Sequence, residues 1–188
     1  MTMTVRERAD TLGTLRYASV FAMETLAGWV PTTADLEAKI LLGRHIWEFA
    51  QHADQLGKRT HELRAALHYT PAPMPAYEAA LQQLRATTGA RERLAAFYDV
   101  FVVDLALKYT TFLASTDPFL DEPSVRVVER ILPDLARMRS EAAETRAERA
   151  DMTSSGAPTA DVLAAALRAA SPWVRHRPAA ASAAEALA

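Results

Sequence analysis

The sequence predicts an all-α protein: an antiparallel four-helix bundle with a short extra helix and an Ala-rich C-terminal tail. Three observations carry that expectation. Apolar residues recur at spacings of three and four through four long stretches, proline and capping residues separate those stretches, and no run of weight alternates with the period of two that a half-buried strand requires. With 188 residues, half of them hydrophobic, the chain is long enough for one core of respectable size.

The first helix is expected from Val5 to Val30, where Leu12, Leu15, Ala18, Ala22, Met23 and Leu26 recur at helical spacing and Pro31 ends the run. Thr33 is placed to cap the second helix, with Asp35 and Glu37 near the positive end of its dipole, and no proline interrupts it until about Tyr69. YTPAPMP then holds three prolines in seven positions and forces extended backbone. A short helix over 76–86 meets the breaker TTG, and a third long helix over 90–114 runs through FYDVFVVDLAL. STDPFLDEP turns the chain, and Pro123 suits a first helical position, so the fourth helix is expected from there to Ala150, bent or weakened at Pro133. Residues 1–150 thus form the bundle. Residues 151–188 are expected to be an Ala-, Ser- and Pro-rich tail, with a short helix at 160–170 and Trp173 and Val174 docking it.

Composition excludes several classes of function. A formal charge of −2, with arginines scattered among glutamates, gives no electrostatic footprint for nucleic acid. Without cysteine there is neither a thiolate nucleophile nor a disulfide framework. No apolar run has the length of a membrane span, and the opening MTMTVRERAD is charged where a signal peptide is apolar. A cytoplasmic protein is expected.

The candidate site starts from HIWEFAQHAD, residues 45–54. At 100° per residue, Glu48, Phe49 and His52 all fall within about 60° of His45, so a polar trio shares the apolar face of the second helix. Glu24 follows Tyr17, Val20 and Phe21 at helical spacing and is expected to face the interior, as is Asp104 between Val100, Phe101 and Leu107, one turn before Lys108. A lone histidine on such a face is ordinarily a core residue, but acids and imidazole from three helices together point to a site, because an unpartnered buried carboxylate costs several kcal/mol. His61 and His68 lie about half a turn away and are expected to meet solvent or a second subunit.

These residues carry a resemblance. AMETLAGWV, then LLGRHIWEFAQHADQLGKRTHELR, FVVDLALKYTTFLA and DEPSVRVVERILPDLARM resemble, in order and spacing over roughly residues 10–145, the ferritin-like superfamily. That family builds a two-metal centre from a glutamate on each of two helices and a Glu-x-x-His on each of the others. The resemblance implies Glu24 as the first-helix glutamate, His52 as the second-helix histidine and Asp104 in place of the third-helix glutamate. Phe49, Leu135 and Met138 stand at the remaining ligand positions, so the centre is degenerate.

Three functions follow as expectations. The first is a metal-independent enzyme of bacterial, specialised metabolism. In it His52 moves a proton, Glu24 or Asp104 orients it, and Phe49, Trp47, Phe101, Leu135 and Met138 line a pocket for a small apolar substrate that undergoes isomerisation, cyclisation or elimination. The second keeps an iron or zinc ion on Glu24, His52 and Asp104, helped by Glu48 and His45. The third is a non-catalytic binding or partner protein with a vestigial metal site. No cofactor is favoured, and a homodimer is expected from the resemblance.

Overall fold

The computed structural model describes residues 3–149, 152 and 158–177, and every regular element among them is helical. Thr4 opens α1 (Val5–Trp29): its hydroxyl accepts from the Glu7 N–H at 3.2 Å, and the Glu7 carboxylate accepts from the Thr4 N–H at 2.7 Å. This reciprocal cap satisfies two donors that the first turn otherwise leaves open. Pro31 does end α1, within a 3₁₀ turn at Val30–Thr32.

The cap of α2 (Leu36–Glu62) is Asp35, whose carboxylate accepts from the Ala38 N–H at 2.8 Å, and not Thr33. The Thr33 hydroxyl donates instead to the Trp29 carbonyl at 2.8 Å, closing the preceding turn. Nor does α2 reach Tyr69. It stops because Arg64 takes a left-handed conformation (φ 64°), the Ala65 N–H bonds the Thr60 carbonyl at 3.1 Å and the Arg64 N–H bonds that of His61 at 2.9 Å. That pair of bonds is a Schellman ending without the glycine that usually marks one, so nothing in the residue pattern announces it.

The remaining elements are α3 (Pro75–Arg85), α4 (Ala90–Leu94), a π-helical turn (Ala95–Phe101), α5 (Val102–Ser115), α6 (Glu122–Glu148) and α7 (Thr159–Ala169). The third long helix is therefore a rod with a π-helical middle, which turns Phe97, Tyr98 and Phe101 into the core together. Pro133 is exposed and α6 runs through it unbroken. The carbonyl of Glu129, deprived of its partner N–H, lies on an exposed residue.

Packing follows from the buried stripes. α1 lies along α2, α2 against α6, α6 against α5 and α5 against α1, while α7 covers α3 and the π-helical turn. Leu163, Leu167 and Ala170 join the same core as Phe49, Phe97, Leu135 and Met138. Trp173 and Val174 do dock: the Trp173 carbonyl accepts from the Met74 N–H at 2.9 Å, its ring lies tilted against Tyr77 with centroids 6.0 Å apart, and Val174 is buried. Residues 178–188 of the expected tail lie outside the described residues. No helix among the described residues is long and apolar enough to cross a membrane.

Candidate functional site

The polar trio of α2 finds its partners on α6. His45 and His52 are both buried, on the arc that faces α6, and their Nε2 atoms lie 3.1 Å from Glu141 and 3.1 Å from Asp134 respectively. Between these pairs the Arg137 guanidinium donates to Glu48 at 2.8 Å, to Asp134 at 2.9 Å and to Glu141 at 3.3 Å. Arg44 adds a second cation 3.5 Å from Glu141. Beneath them, from the π-helical turn, the Tyr98 hydroxyl lies 2.7 Å from His45 Nδ1.

The hydrogen-bond pattern fixes the tautomer of a neutral His45. An ionised carboxylate only accepts, so Nε2–H donates to Glu141 and Nδ1 receives the Tyr98 proton. Burial holds the pKa of both histidines below the ordinary imidazole value, against the opposing pull of Glu141 on His45 and of Asp134 on His52. Asp134 and Glu141 move down as well. Burial acts to raise them, but the hydrogen bonds from Arg137 and from His52 or His45 outweigh it. Burial pushes the Tyr98 hydroxyl well up, so it stays a neutral donor. The seam thus holds two neutral bases under ionised, half-exposed acids. His52 Nδ1 and Glu48 Oε2 are buried acceptors without a hydrogen-bond partner among the described residues.

The structure does not bring Glu24, His52 and Asp104 together. Glu24 is exposed and pairs with Arg85 at 3.1 Å, because the face of α1 that carries it looks toward α3 and solvent. Asp104 is half-buried, with Lys108 at 2.5 Å and the Tyr77 hydroxyl at 2.9 Å. Its expected neighbour Leu107 is 64% exposed. Both faces of α5 carry apolar side chains there, and the buried one is that of Val102, Leu105, Tyr109 and Phe112. Phe49, Phe101, Leu135 and Met138 are fully buried packing residues, and Trp47 is 66% exposed on the outer side of α2. Among the described residues, none of the five lines the cleft at Arg16 and Gly57 or the one at Val103 and Leu107.

A metal centre of the ferritin-like kind does not fit these residues. Its expected donors Glu24 and Asp104 are committed to Arg85 and Lys108, and three positions are apolar. Among the described residues no three His, Asp or Glu side chains are grouped so as to hold a metal ion. Where acids do gather, on the seam, Arg137 already supplies the cation. Comparison with family models, with curated proteins and with solved structures gives no match.

Sequence reasoning missed Tyr98, Asp134, Arg137 and Glu141 as members of one constellation. A signal for three of them existed: Asp134, Arg137 and Glu141 are spaced three and four apart and span the same length as His45, Glu48 and His52. Two such triplets on antiparallel helices meet end for end. Tyr98 gave no comparable signal, since its inward aim depends on a π-helical turn that an apolar run does not announce.

Proposed function

We propose that the chain is a ferritin-like helical bundle in which an ion-paired seam stands in place of a metal centre, and that it works as a non-catalytic partner protein through its outer surface. The cyclic packing of α1, α2, α6 and α5 supports the bundle. One observation carries the functional reading. Each acid expected to do chemistry is spent on a cation, Glu24 on Arg85, Asp104 on Lys108 and Glu48 on Arg137, and the two acids the structure adds at the seam, Asp134 and Glu141, are spent on Arg137 as well.

The surface that fits a partner is the outer stripe of α2. Leu36, Ile40, Gly43, Trp47 and Ala50 follow one another at steps of four and three, the spacing of a coiled-coil seam, and Leu36, Ile40 and Trp47 are 64%, 54% and 66% exposed. A Cβ built on Gly43 would meet nothing within 4 Å. A second copy laid antiparallel sets Trp47 over Gly43 and Ile40 over Ala50, with Leu36 at the edge beside Asp54, so the centre of the stripe is self-complementary. Sedimentation equilibrium tests the proposal: the parent chain runs as a dimer, and Trp47→Glu runs as a monomer with unchanged helicity. A monomeric parent chain would remove the proposed surface.

A second reading is acid–base catalysis on a small apolar substrate, favoured by the open acceptors His52 Nδ1 and Glu48 Oε2, one turn apart on the same helix. It requires that His52→Gln, folded and with the parent's oligomeric state, abolish the product of the pathway that the protein serves. Unchanged product leaves the partner reading standing alone.

A further inference from the structure

We propose that the cleft between α1, the C-terminal half of α2 and the loop that follows it binds a small organic oxyanion, held on Arg16. The cleft has a volume of about 330 Å³ and is lined by Arg16, Lys58, His61 and His68, with Ala53, Gly57 and Leu67 as its apolar wall. Asp54 and Glu62 also line it.

The charges on this wall do not cancel evenly. Asp54 is taken by Lys58 at 2.7 Å and Glu62 by Arg59 at 2.8 Å. Arg16 has no carboxylate within ion-pair distance among the described residues. Its Nε donates to the Ala53 carbonyl at 3.1 Å and its Nη1 to the His68 carbonyl at 3.0 Å, so a half-buried guanidinium meets two neutral acceptors and keeps its charge unmatched. A guanidinium fixed in this way presents its remaining donors in a planar fork suited to carboxylate or phosphate.

Two features of the backbone serve that placement. Gly57 lets Arg16 lie flat across α2, since a Cβ there would stand 2.8 Å from Nε. His68 is held at φ 60°, a conformation L side chains rarely adopt, and its carbonyl accepts from both Arg16 and the Thr70 hydroxyl, the latter at 2.7 Å. His68 stands at the third position of a turn closed by the Tyr69 N–H on the Ala66 carbonyl at 3.0 Å, where a positive φ is usual, and that turn is what aims its carbonyl at Arg16. On the rim, His61 Nδ1 lies 3.3 Å from the Ala65 carbonyl, which fixes the ring, and its Nε2 becomes a second donor to an anion once protonated.

The test is a titration of the full chain with inorganic phosphate and, separately, with citrate, followed by amide and imidazole NMR shifts against chloride at matched ionic strength. Saturable shifts at Arg16, Gly57, His61 and His68 are expected, and the better of the two anions identifies the oxyanion class. Arg16→Gln is expected to remove saturation. Should that variant fail to fold, His61→Gln with His68→Gln, both exposed side chains, is expected to weaken binding roughly tenfold, the loss of about one charge-assisted hydrogen bond. A response no different from that to chloride overturns the proposal. So does a folded Arg16→Gln, or the folded double variant, that binds as the parent chain does.

Discussion

The α2–α6 seam and the cluster at the start of α6 bury opposite partners. In the seam the bases are inside: the His45 and His52 side chains are 0% and 2% exposed, while those of Glu141 and Asp134 keep 23% and 40%. At the start of α6 the acid is inside. Asp121 is fully buried, with Arg59 at 2.7 Å, Arg8 at 3.9 Å, the Ser124 hydroxyl at 2.6 Å and the Thr116 hydroxyl at 3.2 Å. An imidazole that enters an apolar interior can shed its charge and stay a satisfied neutral base. A carboxylate there needs a shell of donors, and it receives them from α1, α2, α6 and the preceding turn.

That difference predicts where the fold is most easily broken. Asp121→Ala leaves Arg59 and the nearly buried Arg8 facing each other without their acid and is expected to cost about 3–5 kcal/mol, as for a buried pair broken on one side. Urea denaturation followed by far-UV dichroism measures it. A loss below about 1 kcal/mol, the value of an exposed pair, would mean that the cluster does not anchor the start of α6.

Within the seam the two histidines sharpen the comparison. His45 satisfies two groups, the buried Tyr98 hydroxyl and Glu141, so His45→Leu strands a donor and is expected to cost about 1–3 kcal/mol. His52 satisfies only Asp134, which keeps Arg137 at 2.9 Å, and its own Nδ1 is without a partner. His52→Leu therefore removes an open acceptor, and its expected cost is under about 1 kcal/mol. If the same denaturation experiment returned the two in reverse order, the seam would not be organised around Tyr98.

What the sequence made legible follows the same physics. Helix-forming stretches and the inward arc of His45, Glu48 and His52 are local properties, carried by spacing alone, and the structure keeps them. The end of α2 was not legible, because Arg64 supplies the left-handed residue that a glycine usually announces. Glu24 and Asp104 misled for another reason. Each lies among apolar neighbours, yet on α1 and α5 more than one face is apolar, and only tertiary packing decides which is buried. Partners on a distant helix, such as Arg137, are fixed by register, which one sequence reveals only when two triplets happen to match in spacing.

The smallest effect expected is the one that reads the buried bases of the seam by pH. Burial lowers the folded-state pKa of His45 and His52, so below about 6.5 the unfolded imidazoles take up protons that the folded ones refuse. The unfolded state then binds more protons, and stability must fall as the pH drops from there through the folded values. Asp134 and Glu141 act in a separate, lower window. Their folded values lie below the ordinary carboxylate range, so their contribution persists until the pH falls beneath about 4, where protonation removes it. Urea midpoints measured from pH 7.5 down to 5 should therefore decline in the parent chain and stay nearly flat in the double variant His45→Leu, His52→Leu. A double-histidine variant that declined as steeply as the parent would place the titrating groups outside the seam.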